Sequence, residues 1–208
     1  MLNLLARAVS VVFHPLLMAT YLVGLLAFFF PAVLFPVKAE THKTFIGLIF
    51  LLTFVLPAVN IGLLRLLGVI SRVEMPDRSE RIRPFIIILL LYAFFTYLLY
   101  AKSRLSIGDN LFNLILIVDA FVLASVVITL FYKASIHSLA MGGVLGILFP
   151  LNKVAEDGSL LVPTLVMLVL AGLVMSSRLY LNAHTSREVM IGSTLGFAIG
   201  FMGMKMLF

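Results

Sequence analysis

The sequence predicts an all-α membrane protein: one domain over residues 1–208, built as a polytopic transmembrane helical bundle of six to seven spans. Three observations carry this prediction. Hydrophobic residues make up 62% of the chain, charged residues only 12%, and mean hydropathy is +1.19; a soluble domain is nearer half apolar and a quarter charged. The apolar residues fall into runs near the roughly 20 residues that a spanning helix needs, too long for barrel strands. The connections between runs are short, which leaves no room for a soluble domain or a linker. Backbone groups in lipid must find partners within their own segment, so helices are expected throughout.

The elements follow in chain order. The N-terminal stretch "MLNLLARAVSVVFHPLL" has a single arginine and no small-x-small cleavage site before its apolar run. It reads as a retained first span, about 15–36, preceded by a short interfacial helix, and not as a cleaved signal. Further spans are expected at about 44–70, 84–101, 111–132, 137–150, 161–176 and 188–208. The fifth is short and ends at Pro150, so it is expected as a half-span or as a helix that starts inside the protein. Tyr92, Thr96 and Tyr100 form a four-spaced stripe on the third span, read as interhelical packing or an interfacial anchor and not as a substrate channel. Asp119 lies mid-span in the fourth. An ionisable group there is costly, and a hydrogen-bonded packing residue facing the bundle is preferred over a translocation role. Asn60 and Asn113 are expected as interhelical hydrogen-bond donors. Gly142 and Gly146 on the fifth span, and Gly192, Gly196 and Gly200 on the seventh, repeat every four residues. Small residues at that spacing let helices approach closely, so these two spans are expected to pack glycine face to glycine face.

Composition also narrows function. There is no cysteine, which excludes disulfides, a cysteine nucleophile and a cysteine metal cage. The formal charge is +6; in a membrane chain that points to anionic headgroups or phosphate-bearing substrates and not to nucleic acid. With seven spans, the connections at 71–83, 133–136 and 177–187 share one side with the N-terminus. That side holds Arg7, Arg65, Arg72, Arg78, Arg81, Arg83, Lys133, Arg178 and Arg187. The other holds Lys38, Lys43, Lys102, Arg104, Lys153 and Lys205. The positive-inside rule would make the first side cytoplasmic, a margin that disappears if several of its arginines serve a site.

Three connections on that side carry the chemistry. "SRVEMPDRSERIRPF" brings Arg72, Arg78, Arg81 and Arg83. "KASIHSLAMGG" brings Lys133, Ser135 and His137. "SSRLYLNAHTSRE" brings Arg178, His184 and Glu188. His184 and Glu188 are four apart; on a helix they share a face, and the carboxylate would fix the imidazole tautomer and free the other nitrogen as nucleophile or base. An interfacial ion pair at a helix start is the plainer alternative. The glycine faces would bring His137 and His184 to one membrane surface. Guanidinium groups match phosphate geometry, so arginines, a serine hydroxyl, two histidines and an oriented carboxylate suit phosphoryl transfer. A solvated charged loop is the plainer reading of the arginine run taken alone. No H-E-x-x-H zinc pattern occurs, and "GGVLG" lies inside an apolar span, not in a phosphate loop. His14 and His42 stand alone and read as interfacial or structural.

The three motifs resemble the type 2 phosphatidic acid phosphatase superfamily, whose pattern is K-x6-R-P, then S-G-H, then S-R-x5-H-x3-D. Here Arg83-Pro84 closes the first, Ser135-Ile136-His137 is the second, and Ser177-Arg178, five residues, His184, three residues, Glu188 is the third. The resemblance covers about residues 72–190, and the third motif is its most specific part. It implies His184 as the nucleophile of a phosphohistidine intermediate, Glu188 as its orienting carboxylate and His137 as general acid. Arg83, Arg178 and Ser135 would bind the phosphoryl group, and no metal or other cofactor is implied. Three positions depart from the pattern. Pro76 stands where lysine belongs, and Arg78 or Arg81 would have to supply that charge from a shifted position. Ile136 replaces glycine, losing glycine-only angles and crowding the phosphate. Glu188 is one methylene longer than aspartate. The expected activity is hydrolysis of a lipid phosphomonoester or pyrophosphate in the cell (inner) membrane, the substrate being a phosphatidic acid, phosphatidylglycerol phosphate, polyprenyl pyrophosphate or lipid A type. Two alternatives stay open: a phosphotransferase using the same intermediate, and a non-catalytic lipid-phosphate binding or transport protein. The sequence also leaves a homo-oligomer open.

Overall fold

The computed structural model describes residues 1–75, 77–102 and 109–208; Pro76, at the lysine position of the first motif, and Arg104 lie outside the described residues. Among the described residues all regular structure is helical. Five helical stretches are each long and apolar enough to cross a membrane, and a sixth is added if the bent pair at the N-terminus counts as one span. The chain is an all-α, multi-pass membrane bundle.

The bent pair is α1 (Leu2–Val12) and α2 (Pro15–Phe29), meeting at 63°. A short helix therefore precedes Pro15 as expected, but α2 stops at Phe29, short of the expected 36, and only the two helices together are long and apolar enough to span. Proline at the first helical position costs no hydrogen bond and pre-sets φ, so α2 starts at Pro15. His14 caps it: its Nδ1 accepts the Leu16 N–H at 3.3 Å. His42, at the far end of α2, contacts the Val37 carbonyl through Nε2 at 3.3 Å and so closes a turn.

The second span joins α3 (His42–Phe50) to α4 (Leu56–Leu66) through a π turn at Leu51–Val55. Pro57 explains this turn. It has no N–H to give to the Thr53 carbonyl four residues back, and that carbonyl accepts the Tyr92 hydroxyl at 3.1 Å instead. Tyr92 belongs to α5 (Arg78–Lys102), which starts at Arg78 and not at the expected Pro84. A proline near a helix start removes only one bond, here to the Glu80 carbonyl. The Glu80 carboxylate stabilises the entry by accepting from Ser71 N at 2.8 Å and Ser71 Oγ at 3.0 Å.

The stripe on α5 packs between helices as expected. Thr96 Oγ1 donates to Asp119 Oδ2 of α6 (Asn110–Phe131) at 2.6 Å, and the Tyr100 ring lies 5.8 Å from that of Phe112. Asp119 is thus hydrogen-bonded across a helix pair. Asn113 donates to the Leu207 carbonyl, as expected of an interhelical donor, whereas Asn60 Oδ1 is buried without a partner among the described residues.

The remaining helices are α7 (Ile136–Val154), α8 (Leu161–Tyr180) and α9 (Ser186–Leu207). The fifth segment is a single helix that is not among the five stretches apolar enough to cross a membrane, in keeping with a helix that starts inside the protein. α7 passes through Pro150 and runs 19 residues, about 28 Å at helical rise. It is the helix most enclosed by its neighbours, with buried residues from Ser138 to Leu151; enclosure lets it carry His137, Asn152 and Lys153 at its ends. α7 and α9 run parallel and form the most extensive helix contact in the molecule. A Cβ on Gly192 would press on the Ser135 carbonyl, one on Gly196 would overlap the Leu139 carbonyl, and one on Gly200 would press on the Gly143 carbonyl. Gly142 and Gly146 meet the backbone of Ser193 and Phe197 in return. The expected glycine contact is therefore present, and it puts the N-termini of α7 and α9 side by side.

Candidate active site

The connection between α8 and α9 is a five-residue reversal, 181–185. Asn182 takes φ 50° there, a left-handed conformation that asparagine tolerates better than most residues. The reversal sets Arg178, in the last turn of α8, beside His184, just before α9. Thr185 is the N-cap of α9: its hydroxyl accepts the Glu188 N–H at 3.3 Å, and Glu188 Oε2 accepts the Thr185 N–H at 3.2 Å. This reciprocal cap points the Glu188 carboxylate back past the helix start. There Oε2 also meets His184 Nδ1 at 2.8 Å. The pairing expected from the four-residue spacing is real, but its geometry differs from the expected one. His184 lies outside the helix, and the reach comes from the capping conformation of Glu188. The helix-start ion pair and the oriented histidine are one arrangement.

His184 is buried, only 8% exposed. With Nδ1–H donated to the carboxylate, Nε2 keeps its lone pair. Burial pushes the imidazole down to about 4; the Glu188 hydrogen bond pulls it up, while Arg81 and Arg178 push down with burial. The group is therefore neutral at pH 7, as a nitrogen nucleophile must be.

Ser135 anchors the neighbouring connection. Its N–H donates to the Glu188 carbonyl at 3.1 Å, and its fully buried hydroxyl caps α7, accepting from Ser138 N at 3.3 Å and Ser138 Oγ at 2.9 Å. Ser135 thus ties the start of α7 to the start of α9 and does not line the cavity described below. Ile136 follows as the first residue of α7, in helical conformation, so the glycine-only angles of the family motif are not required here. His137 is next, and its Nε2 contacts the Ser10 carbonyl of α1 at 3.0 Å. A carbonyl can only accept, so Nε2 carries the hydrogen.

His137 and His184 face a cavity of ≈ 440 Å³, within the size range of small-molecule sites. Its polar wall holds His14, Glu74, Arg81, His137, Arg178 and His184. Arg81 Nε donates to the Met75 carbonyl at 2.8 Å. Arg178 Nε is buried with no hydrogen-bond partner among the described residues. Neither guanidinium lies within ion-pair distance of a carboxylate among the described residues, although Glu188 and Asp77 act favourably on Arg81 from further off. A partly buried charge without a partner costs roughly several kcal/mol, and an anion in the cavity would offset that cost. The cavity shares Pro15, Leu16, Phe85, Ile88 and Ile136 with an apolar crevice between α2, α5, α6 and α7 that reaches Met18, Leu22 and Val144.

Not every expected residue gathers here. Arg83 is exposed and absent from the cavity wall. Two residues along a helix turn the side chain by about 200°, so Arg81 faces in where Arg83 faces out. Arg78 lies at the surface, donating to the Leu130 carbonyl at 3.1 Å. His14, expected from the sequence to be interfacial or structural, caps α2 as described, and its ring also lines this cavity, with its centroid 5.6 Å from that of His137 in an edge-to-face contact. Among the described residues no three His, Cys, Asp or Glu side chains are grouped to hold a metal ion. Comparison of the chain with protein-family models, with curated proteins and with solved structures finds no match.

Proposed function

We propose that this multi-pass protein is a lipid phosphatase of the cell (inner) membrane that hydrolyses a lipid phosphomonoester or pyrophosphate through a phosphohistidine, with no metal ion taking part. One observation carries the reading: buried His184, held by Glu188, lines a cavity with Arg81 and Arg178, neither within ion-pair distance of a carboxylate among the described residues, and that cavity shares wall residues with an apolar crevice. The polar end suits a phosphoryl group and the apolar end suits hydrocarbon. This is the residue set that the resemblance to the type 2 phosphatidic acid phosphatases implies, with Arg81 in place of Arg83 and with Ser135 in a supporting role.

The chemistry balances within these residues. His184 Nε2 attacks phosphorus, forming a P–N bond as the P–O bond to the leaving group breaks. Glu188 holds the Nδ1 proton and stabilises the charge that develops on the ring. His137 is neutral in the free site, so its Nδ1 takes up the proton of a monoprotonated phosphoryl group and passes it to the leaving oxygen. A water molecule then attacks phosphorus with His137 taking its proton, the P–N bond breaks, and inorganic phosphate leaves. Arg81 and Arg178 hold the equatorial oxygens throughout.

The test is phosphate release by purified protein in detergent with chelator present. The panel would hold phosphatidic acid, phosphatidylglycerol phosphate, a polyprenyl pyrophosphate and a phosphorylated lipid A, with His184→Ala as control. Release that disappears in the variant supports the reading. Release that persists refutes the nucleophile, and label found on an acceptor lipid in place of free phosphate identifies a transferase.

A further inference from the structure

We infer that His14 is a third histidine of the anion site, giving an N–H to the bound phosphoryl group from a segment that the three motifs do not include. The inference rests on the reading of the cavity as a phosphate site. His14 stands at the 63° break between α1 and α2. Its Nδ1 is used up as acceptor of the Leu16 N–H, so in the neutral ring the hydrogen sits on Nε2. That leaves one donor, on a ring that forms part of the cavity wall with Arg81, Arg178 and His184. The edge-to-face contact at 5.6 Å keeps it against His137.

The same junction acts on His137 directly. The Ser10 carbonyl, at the end of α1, takes the Nε2–H of His137 at 3.0 Å, and Ser10 also lines the cavity. A carbonyl acceptor fixes which nitrogen of His137 carries the hydrogen, leaving Nδ1 as the nitrogen that can exchange a proton. One short stretch, 10–14, therefore sets the tautomer of one histidine and supplies another. A cap needs only the Nδ1 acceptor. It does not need a ring on the wall of a cavity that also holds Arg81 and Arg178.

Asparagine separates the two roles, because it caps helices at least as well as most residues but carries no imidazole. The full-length protein in detergent would be titrated with inorganic phosphate, followed by phosphorus NMR, together with thermal unfolding. The expected result for His14→Asn is an unchanged unfolding midpoint and about tenfold weaker phosphate binding, the size of one hydrogen bond to a charged group. His14→Ser, another strong cap, carries the same comparison if the asparagine variant does not fold. Wild-type phosphate affinity in a stably folded variant overturns the inference and leaves His14 a cap. Absence of phosphate binding by the wild-type protein overturns the anion-site reading itself, and this inference with it.

Discussion

Glu188 Oε2 takes the Nδ1 hydrogen of His184 at 2.8 Å although His184 lies outside the helix that carries Glu188. The same oxygen accepts the Thr185 N–H. One carboxylate therefore serves a helix cap and a histidine at once, and shortening or removing it affects both.

His184→Ala is expected to abolish phosphate release. Glu188→Ala should lower kcat by about 10²–10⁴-fold, the usual range for a lost acid–base or orienting group, and destabilise the fold by about 1 kcal/mol through the lost cap. Glu188→Asp should fall between wild type and alanine, since the shorter side chain reaches one of its two partners less well. Equal rates for the aspartate and alanine variants would remove the orienting role. Rates and unfolding midpoints measured on the same preparations give the comparison.

Arg81 and Arg83 give a test of geometry against motif. Arg81 is buried beside the cavity and Arg83 is exposed. Arg81→Lys keeps the charge but loses the Nε bond to Met75, and should weaken inorganic phosphate as an inhibitor by about tenfold, the scale of one charge-assisted hydrogen bond. Arg83→Ala should change the inhibition constant less than twofold, as a solvated surface charge does. The reverse order of effects would restore the motif assignment.

The pH dependence follows from His184. Its imidazole is held at about 4, below the ordinary 6.5, first by burial and then by Arg81 and Arg178, with Glu188 opposing. If the neutral ring acts as the proposed nucleophile, the His184 limb of the rate profile should lie near pH 4, and nitrogen or carbon NMR of this ring should titrate there. The folded chain binds this proton less readily than the unfolded chain. Acid between pH 6.5 and 4 should therefore destabilise the fold through this group, with no penalty above 6.5. A His184 titration midpoint at 6.5 would contradict the buried pairing.

The glycine contact is tested by a pair of alanines. Gly196→Ala puts a methyl group into the Leu139 carbonyl, whereas Gly172, on the outer face of α8, has open space around it. Overpacking typically costs about 1–3 kcal/mol, so Gly196→Ala should lower the unfolding midpoint in detergent by several degrees. Gly172→Ala should leave it unchanged or raise it slightly, alanine being the better helix former. Equal midpoints would show that the two helices do not rely on backbone contact.

The glycine spacing and the His184–Glu188 pair were legible in the sequence because each is local and periodic. Four-residue steps map directly onto one face of a helix. What escaped was non-local or a matter of phase. His14 and His137 are far apart in the chain, and the group that joins them to α1 is the backbone carbonyl of Ser10, which any residue would supply. The choice between Arg81 and Arg83 depended on where α5 begins. With the start placed at Pro84 both would lie in a loop, and only the helix running from Arg78 assigns them to opposite faces. Ser135 was legible as a site residue by motif, yet its hydroxyl is consumed by the start of α7.

The parallel glycine seam between α7 and α9 also works as a toothed rule. Each tooth is four residues, about 6 Å along the axis, and the two imidazoles sit at the zero end of the scale, His137 on one blade and His184 in the connection that leads into the other. Sliding the blades by less than a tooth drives a carbonyl into a methylene, and sliding by a whole tooth would separate His137 from His184 by several times the length of a P–O bond. The distance between the two rings is therefore a discrete setting. Substitutions anywhere along the seam, even some 20 Å from the histidines, should leave the active arrangement intact or remove it, with few graded states between.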